Sequence, residues 1–337
     1  MKIVLPFISG NFLNWPGPFL ESVDPSDGTV WSRVARCGSI EADVAVRSAG
    51  QAFRVGDWAQ ADGAGRGDIL DSLADVLETD WEFLVEAEVR DNGKRITEVR
   101  GQFSGLHSWF RHFAGEARKL GIEPQTNAVP GVISANHPQP YGVVVAITPW
   151  NSPLMILAWK MAPALAAGNT MVVKPSEMAS ASTVAFAQMV HEAGLPAGVL
   201  NVVTGLGHEV GEALVRHPLT RKVTFTGSDM AGRKVAEAAS GRVIPTTLEL
   251  GGKSAQVVFA DADMDNAVNG VLSGIFLSNG QTCVAGSRLL VDASIHDAFV
   301  ARIHARAASL RLGNPMDPTT QVAPLANEPH LNKVTAM

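Results

Sequence analysis

The sequence predicts an α/β fold built on a parallel sheet, and three observations carry that expectation. Short apolar runs begin near residues 143, 171, 199, 223 and 246, about 23 to 28 residues apart, the length of a strand–helix–strand repeat. Each run ends in Gly, Pro or Ser and gives way to a stretch with helical spacing. The 337 residues include 32 Gly and 19 Pro, many for a helical bundle and suited to repeated strand–helix turns.

Taken in order, the chain starts with a short apolar run at 3–8, broken by Pro6, without the cleavage pattern of a secretory signal. Asp24-Pro25-Ser26-Asp27-Gly28 is a turn signal. From 41 to 119 the pattern is helical. Ile69, Leu70, Leu73, Val76 and Leu77 recur at spacings of three and four and make one apolar face. Trp81, Leu84, Val85 and Val89 continue it after a break near Thr79, and these large side chains read as core. The polar segment 124–141 holds Pro130, Pro138 and Pro140, which suits an extended arm or hairpin and a contact to another subunit. The runs at 143–147, 171–173, 199–203, 223–225 and 248–250 follow as strands, with helices expected at 180–192, 209–215 and 229–239. Wholly apolar strands predict helices over both sheet faces, with ligands held at the carboxyl ends of the strands.

Composition narrows the function classes. Hydrophobic residues make up 46% and charged residues 18%, an ordinary globular mix, and the length suits two domains. A net charge of −6 without a basic stripe argues against nucleic acid or an anionic membrane as partner. No stretch approaches the ~18 apolar residues of a membrane span. Cys37 and Cys283, the only cysteines, form no disulfide framework, which points to a reducing compartment such as the cytoplasm. The nine His show no H-E-x-x-H, so no metal site is expected, and the absence of G-x-S-x-G removes a hydrolase elbow.

The turns after the strands hold the candidate chemistry. Gly205-Leu206-Gly207-His208-Glu209-Val210-Gly211 follows a strand and opens a helix, one residue too long for a dinucleotide loop; it serves either a phosphate or simple turn geometry. Phe225-Thr226-Gly227-Ser228, with Gly232, is a second such turn, and Ser228 suits either a pyrophosphate or an N-cap. Lys174-Pro175-Ser176-Glu177 could grip ribose hydroxyls or form a surface ion pair; a carboxylate there repels a 2′-phosphate, favouring NAD over NADP. Cys283 is either a nucleophile or a small buried hydrophobe, and Cys37 keeps the second reading. Glu249, between two Leu and before Gly251-Gly252, could have a raised pKa and act as general base, or be a solvated strand-edge carboxylate. Asn151 offers an amide N–H to an oxyanion, or merely ends a strand.

The order of these segments is the specific signal. Thr148-Pro149-Trp150-Asn151, Lys174-Pro175-Ser176-Glu177, Phe225-Thr226-Gly227-Ser228, Glu249-Leu250-Gly251-Gly252-Lys253 and Gly280-Gln281-Thr282-Cys283 resemble, in sequence and spacing, the aldehyde dehydrogenase superfamily. The resemblance runs from near residue 7 to the last residue and implies a Rossmann-type cofactor domain with an incomplete α/β catalytic domain. The implied division is residues 1–120 for the N-terminal segment and helices of the cofactor domain, 121–141 for an oligomerisation arm, 142–250 for the Rossmann-like domain and 251–337 for the catalytic domain.

The resemblance also implies roles. Cys283 attacks an aldehyde as thiolate, Asn151 and the Cys283 backbone N–H hold the oxyanion, hydride passes to the nicotinamide, and Glu249 activates water to hydrolyse the thioester. Lys174 and Glu177 hold the adenosine ribose and Ser228 the pyrophosphate. The implied cofactor set is Ile147, Thr148, Trp150, Lys174, Ser176, Glu177, Gly207, Gly211, Phe225, Thr226, Gly227, Ser228, Leu250 and Gly251, binding NAD with NADP possible. Having Glu249 favours a hydrolytic over an acylating reaction. The family is usually dimeric or tetrameric. Its members run longer, and the expectation is a chain truncated within the catalytic domain, just after Asn327-Glu328-Pro329 starts a helix. Two alternatives stand beside the enzyme: an inactive fragment that at most binds nucleotide, and an esterase using the same cysteine. Trp109, Phe110, Phe113, Met155 and Trp159 could line a substrate entry, with core packing as the other reading.

Overall fold

The structure, a computed structural model, describes residues 1–121, 123–125, 131–132 and 134–337. Its centre is a seven-stranded sheet in the order Thr246–Leu250, Thr220–Gly227, Val143–Ile147, Thr170–Lys174, Leu200–Val202, Phe7–Ile8, Asn11–Phe12. The first five strands are parallel, and the two N-terminal ones add antiparallel at one edge. All five apolar runs of the sequence are therefore strands.

Alternation along the strands builds two cores, as the two-residue period of a strand requires. Val144, Ala146, Met171, Val173, Leu200 and Val202 face one core, with Leu70, Leu73 and Leu77 of the helix Gly63–Thr79, Leu157 and Met161 of Pro153–Ala166, and Phe186 of Ala181–Glu192. Val143, Val145, Val172, Val203 and Val223 face the other, with Ala45, Val46 and Ala49 of Ser39–Arg54 and Ala238 and Ala239 of Asp229–Ser240. Helix starts carry side-chain caps: Asp62 accepts from the Gly65 N–H at 2.8 Å and Asp263 from the Asn266 N–H at 2.8 Å. The break near Thr79 is real, and a second helix runs Glu82–Asn92 to a left-handed Gly93 at φ 69°.

The expectation that helices cover both faces of every strand fails at the edge strand Thr246–Leu250. Thr247 and Glu249 are exposed there because their face borders an open cavity, and Leu250 is exposed at the strand end on the other face. A three-stranded sheet of Lys2–Val4, Phe19–Val23 and Val30–Ala35 has no counterpart in the sequence reading: the first strand is three residues long, and the other two mix polar with apolar residues and offer no continuous apolar run. In the arm, Glu123–Gln125 pairs antiparallel with Ser134–Asn136, and Pro130 lies outside the described residues.

Beyond residue 250 the strand Ala255–Val258 pairs in parallel with Arg288–Val291. The helices Met264–Phe276 and His296–Ala308 cover one face through Val268, Val271, Leu272 and Phe299. On the other side Val257, Phe259 and Leu290 are more than half exposed. The helix Glu328–Thr335 starts where expected, Asn327 accepting from the His330 N–H at 2.9 Å. No helix among the described residues is long and apolar enough to cross a membrane.

Candidate active site

From the central strand Val143–Ile147 the chain builds outward through Thr170–Lys174 and Leu200–Val202, then crosses back to Thr220–Gly227 and Thr246–Leu250. Between Val143–Ile147 and Thr220–Gly227 the direction reverses, and a crevice at such a switch point, outside the carboxyl ends of the strands, is where open α/β sheets bind ligands. Every sequence-predicted site residue except Cys283 lies at that carboxyl edge. Ile147, Thr148, Trp150 and Asn151 leave the first strand; Lys174, Ser176 and Glu177 the second; Gly207 and Gly211 follow the third. Phe225, Thr226, Gly227 and Ser228 end the fourth, and Glu249, Leu250 and Gly251 the fifth. Cys283 arrives from the loop after Met264–Phe276.

At the edge of the second strand Lys174 is buried, and its Nζ donates to Glu177 Oε2 at 2.9 Å. This is not the weak surface pair that the sequence left open, since water is excluded from the lysine. Burial pushes the Glu177 carboxyl up, but the Lys174 charge and hydrogen bond outweigh that and hold it below its ordinary value. The Gly-rich loop after the third strand turns through a π-helical stretch, Gly207–Gly211, before the helix Glu212–Arg216. Gly205 ahead of it has φ +128°, and a Cβ there would lie 2.7 Å from the Cys37 carbonyl oxygen, so only glycine fits. Arg36 fixes this turn through Glu209 at 2.9 Å.

Ser228 is the N-cap of Asp229–Ser240, its Oγ accepting from the Ala231 N–H at 3.3 Å. The helix start is tightly packed: a Cβ on Gly227 would meet the Phe225 ring at 2.6 Å, and one on Gly232 would meet Leu250 at 2.5 Å. The hydroxyl of Thr148, just after Ile147 at the switch point, is buried without a hydrogen-bond partner among the described residues, and so is that of Thr226, which pairs with Glu249 on the neighbouring strand. Buried polar atoms are ordinarily paired, so Thr148 fits a polar ligand at the switch point.

A cavity of about 470 Å³ opens on the neighbouring side, lined by Glu249, Cys283, Lys160, Trp159, Lys222 and Thr226, among others. Cys283 is exposed, as a nucleophile must be, and Cys37 is buried, its thiol pushed up to about 11 by burial. Glu249 shares the cavity with Cys283 and is exposed there, as the strand-edge carboxylate that was the second reading of the sequence. The Asn151 amide donates to the Gln281 carbonyl at 2.7 Å, tying the turn after the first strand to the cysteine loop. One of its two amide protons remains for another acceptor.

Lys160 and Lys222 went unread in the sequence. Burial pulls Lys160 down to about 8, opposed by Glu249 and reinforced by Lys222, and its Nζ donates to Thr224 Oγ1 at 2.9 Å. Its signal was visible: it is the one charge in an otherwise apolar helix, Pro153–Ala166. Of the aromatic candidates, Phe110 is core, and Phe113 and Met155 pack against it. Trp159 lines the cavity with its ring 5.7 Å from that of Trp109.

The sequence model of the aldehyde dehydrogenase family matches residues 16–337. The chain belongs to the aldehyde dehydrogenase family. It is 40% identical over 332 residues to a hydroxyisobutyraldehyde dehydrogenase of Mycolicibacterium austroafricanum, covering 98% of this chain and 65% of that protein. It is 39% identical over 329 residues to a betaine aldehyde dehydrogenase of Bacillus subtilis, covering 97% and 67%. A Staphylococcus aureus betaine aldehyde dehydrogenase crystallised with NAD+ superposes with a TM-score of 0.95 at 34% identity, covering 98% of this chain and 66% of that one. The chain thus spans about two thirds of the length of the curated relatives it matches.

Away from the cavity, the chain buries a polar network on Glu82–Asn92. Glu88 accepts from Ser182 at 3.1 Å, and Asp91 from Ser22 at 2.7 Å and the Ala181 N–H at 2.9 Å. Burial pushes both carboxyls up to about 7. A folded-state value above the ordinary 4.5 of Glu88 means stability present below about pH 4.5 and lost as pH rises through 7. Glu88→Gln removes that loss. Its stability relative to the parent is therefore expected to climb between about pH 5 and pH 8, by up to roughly 3 kcal/mol. Denaturant unfolding at the two pH values checks this; a pH-independent difference contradicts it.

Proposed function

We propose that the chain carries the nucleophile and the cofactor-binding elements of an NAD-dependent aldehyde dehydrogenase that oxidises an aldehyde to a carboxylic acid. The observation that carries this reading is the meeting of an exposed Cys283 with Glu249 on one cavity, beside a sheet switch point and tied to Asn151. Cys283 Sγ attacks the aldehyde carbon. The free amide N–H of Asn151 and the backbone N–H of Cys283 stabilise the oxyanion of the thiohemiacetal. NAD+, when bound, supplies the hydride acceptor that lets the thiohemiacetal become a thioester. Glu249 then takes a proton from water, the hydroxide adds to the thioester carbon, and the thiolate leaves as the carboxylic acid forms.

For the cofactor, the Lys174–Glu177 pair would hold the adenosine ribose, the Ser228 turn the pyrophosphate, and the buried Thr148 hydroxyl would face the crevice. A carboxylate at Glu177 favours the 2′-hydroxyl of NAD over the 2′-phosphate of NADP. The NAD+ complex of the Staphylococcus aureus relative supports the same choice. The paired strands of the arm suit association with a second copy, and two unbridged cysteines support a reducing compartment such as the cytoplasm.

Thermal unfolding with and without NAD+, followed by a panel of small aldehydes including hydroxyisobutyraldehyde and betaine aldehyde, tests the reading. NAD+ is expected to raise the midpoint, because it binds only the folded chain. Glu177→Gln is expected to weaken NAD+ about tenfold, ~1.4 kcal/mol, through loss of a charge-assisted contact. A chain that binds NAD+ and reduces it with no aldehyde of the panel would remove the enzymatic reading.

A further inference from the structure

Ahead of Cys283 the backbone does something unusual. Ser278 and Asn279 have φ of 52° and 56°, and Gly280 follows at 76°. Two adjacent non-glycine residues in the left-handed region are strained and persist only where their surroundings hold them there.

Those surroundings are explicit. The Ser278 N–H donates to Glu98 Oε1 at 2.9 Å, and the same oxygen accepts from Arg95 Nη2 at 2.7 Å. The Asn279 side chain accepts from the Ala323 N–H at 2.9 Å and donates to the Pro324 carbonyl at 3.2 Å. Ser278 and Asn279 are both buried, and the Glu98 side chain is only 8% exposed. The segment that carries Glu98 also grips the other half of the site. Asn92 donates to the Trp150 carbonyl at 3.2 Å, and Lys94 Nζ donates to Ser152 Oγ at 2.6 Å, on either side of Asn151.

We propose that Glu98 is a positioning residue for Cys283: its carboxylate holds Ser278 in the left-handed conformation and so fixes the turn that carries the thiol, a turn that Asn151 also grips through the Gln281 carbonyl. The consequence for catalysis rests on the function proposed above; the consequence for the loop does not.

The test compares Glu98→Ala, Glu98→Gln and the double variant Glu98→Ala/Ser278→Gly by amide hydrogen exchange of residues 277–284 and by steady-state kinetics. In Glu98→Ala, exchange across the segment is expected to rise about tenfold. Its kcat is expected to fall roughly tenfold to a hundredfold, with KM for NAD+ unchanged because Lys174 and Glu177 are untouched. Glu98→Gln keeps an acceptor for the Ser278 N–H and should match the parent. Glycine adopts positive φ without strain, so Ser278→Gly should restore exchange and kcat in the Glu98→Ala background. Parent-like exchange in Glu98→Ala overturns the proposal, as does a Gln variant as impaired as Ala. Failure of Ser278→Gly to rescue overturns it too, including the case in which Glu98→Ala lacks a cooperative melt with or without glycine. If the parent chain oxidises no aldehyde, the functional reading fails, and the exchange pattern with its glycine rescue still decides the positioning.

Discussion

Cys283→Ala is expected to lower aldehyde-dependent NADH formation by at least about a thousandfold while leaving the NAD+-induced rise in melting temperature intact. The covalent step has no substitute in the site: the other thiol, Cys37, is buried and pushed up to about 11. A thiolate nucleophile splits the oxidation into an attack and a hydrolysis, and losing an entire covalent route costs far more than losing one hydrogen bond, which is worth about 1 kcal/mol. Cofactor binding is expected to be kept, since the Lys174–Glu177 pair and the Ser228 turn proposed to hold it lie on other elements. Any ester hydrolysis by the same thiol should vanish with it. NADH formation that survives the substitution removes Cys283 from the mechanism.

The second large effect falls on hydrolysis. Glu249→Gln is expected to release about one equivalent of NADH per chain rapidly and then turn over some hundredfold to ten-thousandfold more slowly, the range a lost general base gives. Acylation of Cys283 does not need Glu249, so the first turnover survives. The thioester then waits for a water that nothing deprotonates. Hydroxylamine needs no base and should restore turnover. A variant slowed equally in the first turnover and in steady state would mean that Glu249 acts before the thioester forms. The glutamate stands exposed in an open cavity, so the substitution should cost little stability.

Legibility in the sequence followed the length of the physical signal. The five parallel strands were readable because each is an apolar run bounded by a turn. Helix faces such as Leu70, Leu73 and Leu77 were readable because their spacing repeats. The N-terminal strands were not: three of them have only two or three residues and carry no period, and Phe19–Val23 and Val30–Ala35 are broken by polar residues. In the site, residues that end strands were found from their place in the chain: Asn151, Lys174, Glu177, Ser228 and Glu249 all share the carboxyl edge. What the sequence could not show was environment. It left Ser228 open between cap and phosphate, and Glu249 open between an enclosed base and a solvated strand-edge carboxylate; the structure shows the cap and the exposed edge. Lys160 reaches Thr224 across 64 positions of the chain, and Glu98 reaches Ser278 across 180. Such partners are set by packing, and no local pattern announces them.

The strand pair Ala255–Val258 and Arg288–Val291 has a consequence for how the protein keeps in solution. Among the described residues its outer edges carry no third strand, and Val257, Phe259 and Leu290 lie open beside those unpaired backbone groups. An apolar face next to a free parallel edge is a template for strand addition from another chain. The large sheet is better defended: Asn11–Phe12 blunts one of its edges with a strand of two residues, and Thr247 and Glu249 make the other polar. Of the two sheets, the small pair is therefore the better placed to take up a strand from a second molecule when the protein is concentrated.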